Sequence, residues 1–147
     1  MTAQIYVLNG PNLNLLGERE PQIYGTATLA DVEQLCTGAA REHGVTVTCR
    51  QTNAEHELIG WLQEARRSAL GIVINPAGFA YHSVPVLDAL RTCECPIVEV
   101  HISNLYRREE AWRQHSLLAT AATGVITGLG IEGYRLAVEY LLRRRSS

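Results

Sequence analysis

The chain has 147 residues, a hydrophobic fraction of 46% and a formal net charge of −2, which predict one soluble globular domain over residues 1–147. All 13 basic residues are arginine, so the chain can form neither a lysine Schiff base nor the lysine contact of a phosphate-binding loop. The sequence shows no secretory signal, no apolar run of about 18 residues and no basic face, so we expect a cytoplasmic protein without membrane or nucleic-acid partners.

Short apolar or β-branched runs alternate with helical patterns along the whole chain. The strand patterns cover Gln4–Leu8, Val45–Arg50, Gly71–Ile74, Ile97–Val100 and Gly124–Thr127. The helical patterns cover Leu29–Glu42, Glu55–Arg67, Val84–Arg91 and Ile131–Arg144, with Thr28 and Ser83 as expected N-caps. This alternation predicts an α/β fold with a flavodoxin-like five-stranded parallel sheet, order 2-1-3-4-5, and helices on both faces.

Polar segments follow three of these strands. They are NGPNLNLLGEREPQIYG at residues 9–25, NPAGFAYHS at residues 75–83 and HISN at residues 101–104. Open parallel sheets bind ligands beyond the carboxyl ends of their strands, where the strand order reverses. We therefore expect the three segments to converge on one cleft.

The first of these segments has the composition of an active-site loop. It lacks the G-x-G-x-x-G pattern of a dinucleotide site, and Pro11 removes a backbone N–H donor that a phosphate cradle needs. We therefore expect no flavin or nucleotide there. Asn12, Arg19 and Tyr24 are candidates for chemistry, the alternative being a long loop with turn-forming asparagines.

Glu99 and His101 lie two residues apart at the end of the fourth strand pattern, with His101 expected just beyond the strand. Strand alternation places both on one side, where the carboxylate can fix the imidazole tautomer for general acid catalysis. A capped strand end is the alternative. Residues 106–115 add arginines that can bind carboxylates, whereas Trp61 and Trp112 are interpreted as packing residues rather than stacking platforms. The residue types suit proton transfer on a small, anionic, hydroxylated molecule.

Four segments resemble the type II 3-dehydroquinate dehydratase family. They are LNGPNLNLLGEREPQIYG (residues 8–25), INPAGFAYHS (74–83), VEVHISN (98–104) and TGLGIEGYRLAVEYL (127–141). The resemblance covers nearly the whole chain, in order and at matching spacing. It implies loss of water from 3-dehydroquinate to give 3-dehydroshikimate, by anti elimination through an enolate and without a metal or organic cofactor. The role implied is in the shikimate pathway of aromatic amino acid biosynthesis or in quinate breakdown.

The same resemblance implies roles for individual residues. Tyr24 is the base that takes the C2 proton, and Arg19 and Arg108 favour its phenolate form. Asn12 lies near the developing enolate oxygen. His101 protonates the departing hydroxyl, with Glu99 holding the imidazole. The implied substrate contacts are Asn75, Ile102, Ser103, Arg113 and Asp88.

The chain departs from the family pattern at two places. Tyr81 stands where the family has a histidine beside the substrate hydroxyls, and His82 follows, so either side chain can take that role. One residue is inserted between Glu110 and Arg113, so the match of Arg113 also rests on the Gln-His-Ser that follows it. Two alternatives remain open: a dehydratase of a related cyclohexane carboxylate, and a non-catalytic flavodoxin-like binding module.

The resemblance also implies a homo-oligomer, a dodecamer built as four trimers. Asp88 belongs to the helix after the third strand, away from the expected cleft of its own chain. On this resemblance it reaches the active site of a neighbouring subunit, where it can pair with Arg113.

Overall fold

Five parallel strands form one sheet in the order β2-β1-β3-β4-β5 in the computed structural model, which describes residues 2–145. The strands are β1 (Gln4–Asn9), β2 (Thr46–Gln51), β3 (Gly71–Asn75), β4 (Ile97–His101) and β5 (Gly124–Thr127). The predicted fold and strand order are confirmed. β1, β3 and β4 each extend one polar residue beyond the predicted end, because the backbone ladder continues regardless of side-chain polarity. His101, predicted to follow β4, is thus its last residue.

Helices cover both faces of the sheet. They are α1 (Pro21–Tyr24), α2 (Leu29–Arg41), α3 (Glu55–Ala65), α4 (Val84–Arg91) and α5 (Glu132–Arg145). Short 3₁₀ helices span Leu13–Leu15, Ala77–Tyr81, Leu105–Arg107, Ala111–Gln114 and Leu118–Ala121. α1 was not predicted, and among the four predicted helices the largest difference in bounds is at α3, which ends at Ala65 rather than Arg67. Within residues 2–145, no helix is long and apolar enough to cross a membrane.

Both predicted helix caps are confirmed. Thr28 accepts a hydrogen bond from the Asp31 backbone N–H, and the Asp31 carboxylate accepts one from the Thr28 backbone N–H at 2.9 Å. This reciprocal pair is a capping box, which satisfies backbone donors at the start of α2. Ser83 caps α4 by accepting from the Val86 N–H at 3.2 Å.

Alternate residues of the buried strands pack into two separate cores. Ile5 and Val7 of β1 pack with α2 and α5, whereas Tyr6 and Leu8 pack with α3 and α4. A sheet covered on both faces explains why its strands appear in the sequence as continuous apolar runs. The arrangement aligns the carboxyl ends of the inner strands, with Asn9 paired in register with Asn75.

The four cysteines, Cys36, Cys49, Cys93 and Cys95, are free thiols. Burial raises the pKa of Cys36 to about 12 and the pKa of Cys49 to about 11. Burial also raises the pKa of Cys95 to about 11. These three side chains therefore stay protonated near neutral pH, and their thiolate forms, which would be the nucleophiles or metal ligands, are scarcely populated.

Candidate active site

One cleft of about 160 Å³ opens at the carboxyl edge of the sheet. The three polar segments that follow β1, β3 and β4 converge on it, as predicted. Of the residues proposed from sequence, those lining the cleft are Asn12, Arg19, Tyr24, Asn75, Tyr81, His101, Ile102, Ser103, Arg108 and Arg113. The lining also includes Pro11, considered above only for its missing backbone donor, and residues that sequence reasoning did not single out: Leu13, Ala77, Gly78 and Leu105.

Three proposed residues do not line this cleft: Glu99, which is buried behind it, and His82 and Asp88. His82 and Asp88 are both exposed on the surface of their own chain. His82 directly follows the 3₁₀ helix that carries Tyr81, yet only Tyr81 faces the cleft. Asp88 lies on α4, and a single chain therefore gives it no contact with a ligand in its own cleft.

Two arginines surround the Tyr24 phenol. Arg108 Nη1 donates a hydrogen bond to the Tyr24 hydroxyl oxygen at 3.3 Å. The guanidinium carbon of Arg19 lies 5.4 Å from the centre of the Tyr24 ring, and that of Arg108 lies 5.9 Å from it. Burial lowers the pKa of Arg108, but the hydrogen bond and the charge interaction with Tyr24 raise it by more. The pKa of Arg108 therefore lies above its ordinary value. Both guanidinium groups would stabilise a negative charge on the Tyr24 oxygen.

Arg108 also connects Tyr24 to the loop after β4. Its Nη1 atom donates to Ser103 Oγ at 3.3 Å, while its backbone carbonyl accepts from Gln114 Nε2 at 3.0 Å. The same guanidinium thus bridges the first and third polar segments. This geometry fixes the Tyr24 hydroxyl relative to the end of β4, where His101 lies.

His101 and Glu99 form a buried pair behind the cleft. His101 Nε2 donates to Glu99 Oε2 at 2.5 Å, and the two residues are 4% and 0% exposed. The prediction that they share one side of β4 is confirmed. Because Nε2 is occupied by the carboxylate, Nδ1 is the ring nitrogen left for a ligand. Glu99 Oε1 is buried without a hydrogen-bond partner among residues 2–145.

A buried chain of hydrogen bonds fixes the side chain of Asn75. Its Nδ2 donates to the Tyr134 hydroxyl at 2.8 Å, and that hydroxyl donates to Asn9 Oδ1 at 2.7 Å. Asn75 Oδ1 accepts from the Ala77 N–H at 3.2 Å, which supports Ala77 in a left-handed conformation at φ 50°. Sequence reasoning missed Tyr134; the available signal was a tyrosine in an apolar helix stripe, whose hydroxyl needs a partner when buried.

We predict that Tyr134→Phe lowers the free energy of unfolding by about 2 kcal/mol, because the buried amides of Asn9 and Asn75 each lose a partner. Burial also raises the pKa of Tyr134, so the neutral hydroxyl is the form that is lost. Chemical denaturation measures the change. Tyr140→Phe is the matched control, since that hydroxyl is on the same helix but exposed. Equal stabilities of the two variants would contradict the prediction.

Side chains at the end of β2 and just after it hydrogen-bond to the backbone around Asn12. Asn12 adopts φ 71°, in the left-handed region that asparagine tolerates better than most residues. Its N–H donates to Asn53 Oδ1 at 2.9 Å, and Gln51 Nε2 donates to the Gly10 carbonyl at 3.1 Å. Sequence reasoning missed Gln51 and Asn53, although their place at the end of β2 and just after it, next to β1 in the sheet, was a usable signal.

Tyr81 and Arg113, which line the cleft, form an aromatic and cationic cluster with Trp112. The rings of Tyr81 and Trp112 meet edge to face, with centres 5.3 Å apart, and the Arg113 guanidinium carbon lies 4.4 Å from the Trp112 ring. Burial raises the pKa of Tyr81, while the charges of Arg113 and Arg108 oppose that rise. Trp61 packs against the core of α3 and α4. Trp112 is 55% exposed and carries a stacked cation, so its interpretation as a packing residue is wrong.

The comparisons with known proteins agree along almost the whole chain. The family model described as "Dehydroquinase class II" matches residues 3–142. A 3-dehydroquinate dehydratase of Streptomyces avermitilis is 59% identical over 138 residues, which cover 93% of this chain and 86% of that protein. A 3-dehydroquinate dehydratase of Methylobacterium radiotolerans is 53% identical over 146 residues, which cover 99% of this chain and 97% of that protein.

Solved structures give the same result. The crystal structure of a type II dehydroquinase from Propionibacterium acnes superposes with a TM-score of 0.90 at 44% identity, covering 97% of this chain and 98% of that one. The crystal structure of a type II dehydroquinase from Butyrivibrio crossotus superposes with a TM-score of 0.91 at 37% identity, covering 95% of this chain and 97% of that one. The chain therefore belongs to the class II dehydroquinase family.

Proposed function

We propose that this chain dehydrates 3-dehydroquinate to 3-dehydroshikimate, with Tyr24 as the base and His101 as the acid. One observation carries the proposal: the arginine-flanked Tyr24 hydroxyl and the glutamate-bonded His101 line the same small cleft. Relatives at 53% to 59% identity that bear the name 3-dehydroquinate dehydratase support the choice of substrate.

The reaction begins with removal of a proton. The Tyr24 phenolate, stabilised by Arg19 and Arg108, takes the proton from C2 and leaves its electron pair in an enolate. Asn12 lies beside the developing enolate oxygen and stabilises it, through a water molecule. The positive charges of the two guanidinium groups act on the oxygen that carries the negative charge of the base, which lowers the cost of forming that base.

The second step expels the hydroxyl group. The enolate carbonyl reforms, the electron pair at C2 forms the C1–C2 double bond, the C1–O bond breaks, and His101 Nδ1 donates a proton so that the oxygen leaves as water. Glu99 stabilises the imidazolium before transfer and keeps the ring oriented. Tyr24 has then gained one proton and His101 has lost one, so a single proton exchange through solvent restores both. The step requires no electron acceptor and no metal.

The remaining cleft residues would bind the substrate. The carboxylate fits Asn75, Ser103 and the backbone N–H groups of Ile102 and Ser103 at the end of β4. Arg113 and Tyr81 lie at the opposite side and suit the ring hydroxyls.

Adding 3-dehydroquinate to the purified protein tests this function directly. The product contains a conjugated enone, so turnover appears as a rise in ultraviolet absorbance. A protein that binds 3-dehydroquinate without any absorbance change would be a binding module. Turnover of a related cyclohexane carboxylate in preference to 3-dehydroquinate would support the alternative substrate.

We predict that Tyr81→Phe raises KM about fivefold, whereas His82→Ala leaves KM unchanged. Tyr81 lines the cleft, and losing one neutral hydrogen bond to substrate weakens binding by about that factor. His82 is exposed and lies outside the cleft lining. Steady-state kinetics of the two variants decides between them. A KM that rises in His82→Ala alone would assign the hydroxyl contact to His82.

We also propose a dodecamer of four trimers in which Asp88 completes the site of a neighbouring chain. The exposure of Asp88 and its absence from its own cleft support this role in trans. We predict that mixing Asp88→Ala chains with Tyr24→Phe chains restores activity, because some mixed sites contain both native side chains. Sedimentation measures the assembly, and the enone assay measures the recovery.

The control for subunit mixing is a pair of variants in one cleft. Tyr24→Phe mixed with His101→Asn leaves every site with one defect and should restore nothing. A fully active monomer, or no recovery with Asp88→Ala despite proven subunit exchange, would contradict the shared site.

A further inference from the structure

Arg113 presents a guanidinium group to the cleft with an incomplete set of protein partners. Its Nε atom is buried and has no hydrogen-bond partner among residues 2–145. Its ion-pair partner, Glu110, places a carboxylate oxygen 3.6 Å from Nε, beyond hydrogen-bond distance. A buried donor left in this way is costly, and a ligand in the cleft could complete it. Within residues 2–145, the other interactions of the Arg113 guanidinium are with aromatic side chains, including the Tyr81 side chain.

Aromatic rings contact the Arg113 guanidinium group. The Arg113 guanidinium carbon lies 4.4 Å from the centre of the Trp112 ring and 5.7 Å from that of Tyr81. The two rings also contact each other edge to face, at 85°. Trp112 thus touches both Tyr81 and Arg113, although it does not line the cleft itself.

Stacking and hydrogen bonding use different parts of a guanidinium group. The aromatic attraction acts on its face, whereas its five N–H donors lie in the plane and point outward. A carboxylate partner would hold the arginine equally well but would consume in-plane donors. A stacked ring holds the group and leaves its donors for oxygen atoms of the ligand.

We infer that Trp112 is a positioning residue that orients Arg113 for binding an oxygen-bearing group of the substrate ring. The inference rests on the proposed function for the identity of that ligand. Trp112 lies in the segment where this chain carries its inserted residue, and it acts through Arg113 without contacting the substrate. Tyr81 limits the movement of the indole from the other side.

Kinetics of Trp112→Ala and Trp112→Phe test this role. Trp112→Ala should raise KM for 3-dehydroquinate about tenfold and change kcat less than about twofold, since proton transfer is untouched. Trp112→Phe keeps an aromatic face and should recover most of the loss. Tyr106→Ala is the matched control, because Tyr106 is 69% exposed and lies outside the cleft. An unchanged KM in Trp112→Ala, or a defect that phenylalanine does not restore, would overturn the inference.

Fluorescence tests the stacking without substrate. Trp61→Phe leaves Trp112 as the sole tryptophan of the chain. Adding Arg113→Ala to that variant removes the stacked cation and should change the emission of Trp112. Unchanged emission would overturn the inference even in an active enzyme. A wild-type protein that gives no enone would instead refute the proposed function, and the emission change would still report the stacking.

Discussion

Tyr24→Phe is expected to lower kcat for 3-dehydroquinate by about a thousandfold while leaving KM within about threefold of the native value. The substitution removes only the hydroxyl that Arg108 contacts at 3.3 Å. The ring stays in place, so its contacts with Arg19 and Arg108 should persist. The loss should therefore fall on proton transfer and not on substrate binding.

Three measurements separate a lost base from a lost fold. Steady-state kinetics gives kcat and KM, calorimetric titration gives the affinity for product, and circular dichroism reports the fold. Tyr106→Phe removes an equivalent hydroxyl at an exposed position outside the cleft and should behave as the native protein. A Tyr24→Phe enzyme with kcat within a few fold of native would remove Tyr24 from the mechanism.

The fold was predictable because its strands are buried on both faces. Such strands leave continuous apolar runs in the sequence, and the helices between them leave a different periodicity. The strand ends were less predictable. Asn9, Asn75 and His101 are polar, yet each pairs through its backbone with a neighbouring strand. α1 is only four residues long, too short for a periodic pattern to form.

The candidate site was predictable where local geometry determined it. Alternation along β4 was enough to place Glu99 beside His101. The Asn75–Tyr134–Asn9 chain could not be inferred in this way, because Tyr134 and Asn9 are 125 positions apart and meet only when α5 packs beneath β1 and β3. Periodicity indicates which face a residue occupies, but a specific partner depends on tertiary packing. The Trp112–Arg113 stack depends on side-chain rotamers in a short 3₁₀ segment, which no sequence pattern specifies.

Burying the Glu99 side chain costs stability, and its hydrogen bond with His101 gives a functional reason for that cost. Glu99 is a carboxylate with 0% exposure, and its Oε1 atom has no hydrogen-bond partner among residues 2–145. Burying a charge with an incomplete set of partners destabilises a fold. Its side chain accepts a 2.5 Å hydrogen bond from Nε2 of His101, which lines the cleft. We infer that Glu99 acts on the reaction through this imidazole.

His101→Asn is expected to lower kcat by about a thousandfold, because the departing hydroxyl loses its proton donor. Glu99→Gln should have a smaller effect, about twentyfold, since the amide can still accept from Nε2 but no longer stabilises the imidazolium by charge. Unfolding measurements of Glu99→Gln separate a structural effect from a catalytic one, because removing one charge of a buried pair can itself destabilise the fold.

The double variant gives the sharper test. If Glu99 acts only through His101, adding Glu99→Gln to His101→Asn should lower kcat no further, and the two single effects should not multiply. Steady-state kinetics of the four enzymes completes the cycle. Multiplying effects would mean that Glu99 contributes to the reaction by a route independent of His101. In an enzyme that already lacks the imidazole, the Glu99→Gln substitution should alter only the stability of the fold, because the carboxylate no longer acts on a proton donor.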